Sequence, residues 1–552
     1  MIRQLLLLAF CISLLFPLIL GFTLNSNYSF DYVYPPVIGL DELIIDENNY
    51  SHDIFLQPQN KQKTDRISSI IHLHSISPSF LSLLDQYDIV VETSYDNMIQ
   101  IVSDIDSLLA ISDHPDVKYI DEPQYPVYHS ITSEGVDFLQ AQIAHNFGIS
   151  GKGVKIGVID TGFDLYNAEI ADNVVFYESF RGDYEKWYGD HGTACAEVIV
   201  DVAPQSDLYL FAMGDSTDFL KAIDRAIELD VDILSISLGW PSIRGDGESK
   251  LSKKVDQARE SGILVVTSAG NTALSHSNGI FTDSDNNGFH EFDGKDEYMD
   301  LTMSGYRLSI VLLWDDWPIS SKDLDMFLYQ YVDDDLILVA SSEKLQCERC
   351  DIGEQPPRER INYNRDFDDP SIKYGLVIRQ DPNSELNGKS EKVNFELGFF
   401  PKTYSAEYLD PSNSIHAPAD ARGSLTVGAF DVKINSLAPY SSQGPTDDGR
   451  VKPDVVGPTN TSSSIYHNGF GGTSSAAPHV AGLAGLLLSA NPNLTSDNLY
   501  DLITQGSIQE KNIIDKLGSV NNIYGHGIAI TKLAIFDFDY DLSHELLRIN
   551  DF

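Results

Sequence analysis

Residues 154–164 read V-K-I-G-V-I-D-T-G-F-D, an apolar run that ends on a carboxylate and a Thr-Gly turn. Apolar residues at consecutive positions leave no solvent-facing side, so the run predicts a strand covered on both faces. The sequence downstream keeps the same rhythm. Further strands are expected at 208–213, 232–238 and 263–268, with helices opening near His191 and spanning 219–229 and 251–260. Short buried strands alternating with amphipathic helices define an α/β fold, a parallel sheet with helices on both faces. The signature resumes with a strand at 425–430 and helices at 474–488 and 496–503.

Two regions break this rhythm. Upstream, strand, helix and turn signals at 67–73, 77–87, 88–92, 98–102, 105–112 and 117–121 give the order βαββαβ. That order predicts a small α+β ferredoxin-like unit over about 62–125. Between 276 and 412, strand-like stretches at 308–313, 326–331, 336–340 and 374–378 sit among Asp, Gly and aromatic residues. An inserted antiparallel β-sandwich is expected there, because structureless loops of that length are uncommon in compact domains.

The bulk numbers set limits. A chain of 552 residues exceeds what one core organises. With 42% hydrophobic and 22% charged residues it is globular in type rather than dominated by disorder. The 37 Lys and Arg against 82 Asp and Glu give a net charge of −45, which repels phosphates and argues against a nucleic-acid partner. At the N-terminus, Arg3 precedes an apolar run over 5–20 and then Gly21. That layout predicts a secretory signal peptide over 1–21, against the competing reading of a retained anchor, for which the run is short. The expected protein is secreted or at the cell surface, with no stable membrane insertion after signal removal. Four cysteines occur: Cys11, Cys195 and the C-x-x-C pair Cys347 and Cys350. In an exported protein, a local disulfide between Cys347 and Cys350 is favoured over half of a zinc site.

Chemistry concentrates in three strings: residues 154–164 above, D-H-G-T-A-C-A-E from Asp190 and F-G-G-T-S-S-A-A-P-H-V-A-G from Phe470. Each key residue has an ordinary reading when taken alone. Asp160 would cap a turn at a strand end, His191 would sit at a helix start, and Ser474 would cap the helix it opens. Yet a strand's carboxyl end is where α/β sheets place reactive groups, and a helix N-terminus suits a hydroxyl that must carry negative charge.

With S-A-G-N from Ser268, S-L-G from Ser237, the stretch from Tyr440 and Y-G-H-G from Tyr524, these strings resemble the subtilase family over about 130–275 and 415–535. The resemblance implies a serine endopeptidase acting on polypeptides, with the triad Asp160, His191 and Ser474 in the subtilisin chain order. It assigns Asn271 and the Ser474 N–H to the oxyanion, and Ser237, Leu238 and Gly239 to pairing with an extended substrate. No cofactor is required for that chemistry. It further implies an autoprocessed zymogen: a propeptide over 22–130 acting as the enzyme's own intramolecular inhibitor, cleaved near 125–135, and catalytic parts at 131–275 and 413–552. Ser475, Ala194, Cys195 and Glu197 depart from the commonest family residues. His479, on the helix interior, is expected to be structural, and a Cys195 thiol near the base would confer sensitivity to mercurials. A catalytically silent secreted binding or adhesion protein on the same fold is the alternative.

The insert carries a metal signal. Asp283, Asp285 and Asn287 supply oxygens at alternate positions ahead of Gly288, as in the front half of a calcium loop, whereas Gly294 stands where an EF-hand needs glutamate. Structural calcium and a polar surface loop both account for it. Asp323 and Asp325 alternate with apolar residues and share one strand face, as edge-strand charges or as metal ligands.

Overall fold

The computed structural model describes residues 67–87, 89–121, 131–181, 189–303, 305–315, 317, 320, 322–332, 335–346, 356–365, 373–381, 392–400, 404–509 and 516–531. The expected signal peptide, residues 22–66 of the expected propeptide, the 125–130 part of the expected cleavage region and the Cys347–Cys350 pair lie outside them. The chain divides into two compact units, Met1–Pro126 and Val127–Phe552.

In the first unit, strands β1 (Ile67–Leu73), β2 (Val90–Tyr95), β3 (Met98–Ser103) and β4 (Val117–Asp121) form one sheet in the order β2-β3-β1-β4. All neighbours are antiparallel. Helix α1 (Pro78–Gln86) follows β1 and helix α2 (Ile105–Ser112) follows β3. Local chemistry fixes both starts. The Ser77 hydroxyl accepts from Phe80 N at 3.2 Å ahead of Pro78, and the Asp104 carboxylate accepts from Ser107 N at 2.8 Å. Phe80, Leu84 and Ile111 from the helices meet Ile71, Ile99 and Ile101 from the sheet in a single core.

The second unit is built on β5 (Lys155–Asp160), β6 (Val174–Ser179), β7 (Asp207–Ala212), β8 (Ile233–Ile236), β9 (Leu264–Ser268), β19 (Ser424–Asp431), β20 (Ser436–Leu437) and β21 (Val455–Thr459). Seven follow the order β20-β19-β9-β8-β5-β7-β6, and β21 pairs with β19. Every pairing is parallel except that of β20. Helices α3 (Gly189–Val202), α4 (Ser216–Glu228), α5 (Lys250–Glu260), α6 (Thr473–Ala490) and α7 (Ser496–Gly506) complete this layer. α6 is buried over nearly its whole length, which explains why T-S-S-A-A-P-H-V-A-G-L-A-G-L-L-L has no polar face. Register aligns the strand ends: Ile159 stands opposite Ile236, and Ile236 opposite Thr267. The residues just past β5, β8 and β9 are therefore neighbours at the carboxyl edge of the sheet, where α/β folds place their chemistry.

Between β9 and β19 the chain forms β10 (His276–Ile280), β11 (Met299–Met303), β12 (Arg307–Trp314), β13 (Leu324–Val332), β14 (Asp335–Ser342), β15 (Arg358–Asn364), β16 (Lys373–Gln380), β17 (Asn394–Phe400) and β18 (Tyr404–Ala406). They make two antiparallel sheets, β10-β17-β12-β15 and β14-β13-β16-β11-β18, around one core that includes Trp314, Leu312, Tyr374 and Phe399. β13 is an interior strand, and Asp323 and Asp325 are buried, so they are not edge-strand charges. Asp325 accepts from Arg379 at 2.7 Å, and burial pushes the carboxyls up, to about 7 for Asp323 and about 6 for Asp325. No helix among the described residues is long and apolar enough to cross a membrane.

Leu210 in β7 is fully buried. Leu210→Ala is expected to lower unfolding stability by about 2–5 kcal/mol, through lost burial and the cavity left behind. Denaturant titration in a Ser474→Ala background, free of self-digestion, measures it.

Candidate functional site

Asp160 closes β5 and is wholly buried. A carboxylate there is costly unless each oxygen is partnered. The protein supplies the partners locally: Thr161 N donates to Oδ1 at 2.7 Å, and His191 Nδ1 lies 2.9 Å from both oxygens. His191 sits in the first turn of α3, which approaches β5 closely at Gly192. A Cβ on Gly192 would lie 2.3 Å from Gly162 O and 2.9 Å from Asp160 Cβ, so only glycine permits the approach. Burial by itself pulls the His191 pKa down; the Asp160 hydrogen bond and charge outweigh it and leave it above its ordinary value. Phe470 packs edge-on against the ring, with centroids 5.8 Å apart.

Ser474 is the second residue of α6, where helix geometry gives its N–H no partner within the helix. The turn before it needs a left-handed residue, Gly472 at φ 88°, on which a Cβ would press 3.1 Å from Asn271 Nδ2. Gly472 N donates to the Tyr440 hydroxyl at 2.9 Å, and Gly472 O accepts from Thr459 Oγ1 at 2.8 Å. The Ser474 hydroxyl donates to Ser237 O at 3.3 Å, and Ser237 Oγ donates to Ser474 O at 3.0 Å. Cys195 ties the two groups together, its Sγ lying 3.7 Å from Asp160 Oδ2 and 3.6 Å from Ser474 O. Burial, followed by the Asp160 charge, pushes the Cys195 thiol well above its usual range, so it rests as a neutral thiol.

Asn271 lies just beyond β9. Its Oδ1 accepts from Thr473 N at 2.9 Å and Thr473 Oγ1 at 3.1 Å, which turns the amide NH₂ away as the donor end. Ser237, Leu238, Gly239, Asn271 and Ser474 all line one cavity of about 150 Å³. The fold thus brings together all seven residues expected at the catalytic centre and cleft. The calcium candidates lie apart in an exposed turn before β11. There Asp283 accepts from Asn287 N and Gly288 N at 3.0 and 2.9 Å, Asp285 accepts from Asn287 N at 3.2 Å, and Asn287 Nδ2 donates to Glu297 at 2.6 Å. His479 is an internal helix contact, its Nδ1 2.6 Å from Ser475 O and its Nε2 2.7 Å from Ser133 Oγ.

Some contributors had no role in the sequence reading. Thr473 stood inside the quoted serine string, and only the fold reveals that it orients Asn271. Tyr440 likewise stood in a quoted stretch, whereas Trp240 and His416, also on the cavity wall, carried no pattern.

Residues 151–291 and 408–527 match the subtilase family. The matched segments together make up just under half of the chain. The match breaks across residues 292–407, which hold all of β11–β18. The chain is 30% identical over 209 residues to a thermostable alkaline protease of Halalkalibacterium halodurans, covering 35% of this chain and 56% of that protein. It is 32% identical over 182 residues to subtilisin E of Bacillus subtilis, covering 30% and 46% respectively. A longer match, 23% identical over 497 residues, joins 78% of this chain to 59% of the minor extracellular protease Vpr of Bacillus subtilis. The chain therefore spans about half the length of the curated relatives it matches. In fold, the structure of the Clostridium perfringens CspB protease superposes with a TM-score of 0.53 at 18% identity, over 72% of this chain and 96% of that one.

Two outcomes follow from this geometry on the endopeptidase reading proposed below. A general base must be neutral to accept a proton, so an imidazole held above its ordinary pKa loses activity on the acid side at a higher pH than a free histidine. Asp160→Asn is expected to move that acid limb of the kcat/KM–pH profile to lower pH and to reduce kcat by ~10⁴. Because Cys195 is fully buried and held as a neutral thiol, the wild type is expected to resist an organomercurial as well as Cys195→Ala does, contrary to the sequence expectation, as measured by residual peptide hydrolysis after exposure.

Proposed function

We propose that this protein is a secreted subtilisin-like serine endopeptidase that hydrolyses peptide bonds of unfolded or extended polypeptides through an acyl-enzyme on Ser474. The observation that carries the reading is the buried Asp160 carboxylate holding His191 Nδ1 at 2.9 Å, at the same sheet edge as Ser474 and Asn271. In this mechanism Asp160 fixes the tautomer of His191, so that Nε2 is the basic nitrogen. In this step the Ser474 hydroxyl leaves Ser237 O and hands its proton to that nitrogen as the oxygen attacks the substrate carbonyl. The Asn271 NH₂ and the Ser474 N–H stabilise the resulting oxyanion. The protonated imidazole then delivers its proton to the leaving amine, and water repeats the cycle to release the acid. The segment after β8, Ser237–Gly239, pairs with the extended substrate.

Residues 22–130 are proposed as a propeptide that restrains the enzyme until it cleaves itself free, with the βαββαβ unit as its ferredoxin-like inhibitory part. Support comes from that unit's place upstream of the subtilase domain. Export is supported by the apolar run over 5–20 and by the extracellular description of the Vpr relative. The two-sheet insert is proposed as a jelly-roll-like or P-domain-like sandwich that supports the catalytic core or guides substrate.

Calcium is proposed at Asp283, Asp285 and Asn287. The donor set fits a hard cation, because three oxygen-bearing side chains share one turn, with Glu297 beside them. Calcium is expected to raise the Tm of the Ser474→Ala protein and EGTA to lower it, as read by thermal unfolding, with the effect gone in Asp283→Asn/Asp285→Asn. An unchanged Tm would remove calcium from the account.

The central test expresses the full chain and its Ser474→Ala form in a protease-free host. N-terminal sequencing is expected to find a new terminus near residues 125–135 in the first and none in the second. Release from the alanine form would contradict self-processing.

A further inference from the structure

The inserted sandwich touches the loop that leaves Ser237–Gly239. Register sets the contact: Leu313 of β12 stands opposite Arg358 of β15 on one side and Glu396 of β17 on the other, and Glu396 stands opposite Asn278 of β10. Leu312 and Trp314 point into the sandwich core, so this row points the other way. At one end of it, Arg358 Nη1 donates to Ser242 O at 3.2 Å. Further along, a hydrogen bond joins the Glu396 carboxyl to that of Asp447, which accepts from Gly245 N at 2.9 Å and from Arg244 Nε at 3.2 Å. Asp447 N in turn donates to Gly245 O at 3.0 Å. Residues 242–245 therefore carry both attachments, and they follow directly on Ser237–Pro241, which line the cavity beside Ser474. Gly245 has no slack, since a Cβ there would lie 2.1 Å from Ile415 O.

Resting on the endopeptidase reading, we infer that Glu396 and Arg358 are positioning residues: the insert braces the outgoing end of the segment that pairs with the substrate, and the carboxyl pair makes that brace sensitive to pH. Two carboxyls bond to each other only while they share a proton. Burial and the facing carboxyl push the Asp447 pKa up to about 9, and burial pushes Glu396 up as well. Arg244 is the cation beside the pair, and it also faces Asp246 at 3.8 Å. His276 of β10 lies 3.9 Å from Glu396, and burial pulls its pKa below the ordinary value, so it brings no charge at neutral pH or above. The shared proton is thus present below about pH 9 and lost above it, which leaves two largely buried carboxylates to one shared guanidinium. Both line a cavity of about 630 Å³, so a repelled Glu396 has room to turn away from Asp447. Arg244 and Gly245 then lose the insert's hold, and Ser237–Gly239 loses the support at its far end.

The test compares the processed wild type, Glu396→Gln, Glu396→Ala and Arg358→Ala between about pH 7 and 10. Two substrates are used: an extended peptide, and a single-residue ester whose hydrolysis needs the triad but no strand pairing. In the wild type, the peptide KM is expected to rise roughly tenfold as pH passes about 9, the value of one hydrogen bond to a charged group, while the ester KM stays level. Glu396→Gln keeps a donor toward Asp447 that does not titrate, so its peptide KM is expected to stay level over the whole range. Both alanine variants are expected to show the raised peptide KM already at neutral pH, with ester turnover kept. If they do not accumulate, the wild type and the glutamine variant decide the question by themselves. A wild-type peptide KM that stays level throughout, the same rise in Glu396→Gln, or alanine variants with the wild-type KM overturns the inference and leaves the endopeptidase standing. A wild type that hydrolyses neither substrate overturns both.

Discussion

The second unit is arranged around a carboxylate that water cannot reach. Asp160 has no exposed surface, and an ionised group in that position costs several kcal/mol unless hydrogen bonds replace its hydration. Thr161 supplies one bond from the adjacent residue, and His191 supplies the other from a helix 31 positions on. That second bond dictates much else. α3 must begin at the end of β5 and pass it at the contact distance that Gly192 allows. The ring must present one nitrogen to the carboxylate, which leaves the other for chemistry.

The same edge of the sheet explains how residues distant in sequence become one site. Parallel strands in register end together, so the segments after β5, β8 and β9 deliver Asp160, Ser237 and Asn271 side by side. The start of α6 completes the set by placing Ser474 where helix amides are unpaired. Mutual fixing is dense: Thr473 orients Asn271, Asn271 crowds Gly472, and Gly472 is held by Tyr440 and Thr459. Such supporting contacts keep a constellation within the narrow tolerance that oxyanion stabilisation demands.

Legibility in the sequence followed the physics of each segment. β5, β8 and β9 are buried on both faces, so their apolar runs stand out; α5 was readable to within a residue, and α7 at its start, though it runs three residues past the expected end. β21 was invisible because V-V-G-P-T contains glycine and proline, yet it pairs in parallel with β19. β15, R-E-R-I-N-Y-N, reads as a charged loop, and its few inward residues gain meaning only from the opposing sheet. Asp323 and Asp325 read as edge-strand charges or as metal ligands, and the sheet order, which places β13 inside, removes the first reading. In the site, the triad residues and Asn271 sit within local strings that carry their own turn and helix signals. His416 does not. It stands in S-I-H-A-P with no pattern around it, and only the fold brings it to the cavity wall beside Leu238, Trp240 and Ser474.

The measurement that bears most directly on the Asp160–His191–Ser474 arrangement is mass-spectrometric mapping of a fluorophosphonate adduct on the processed protein. The account predicts a single adduct on Ser474, formed in the wild type and lost in His191→Ala even though the serine remains. An adduct on another residue, or labelling of Ser474 that is indifferent to His191, would contradict it.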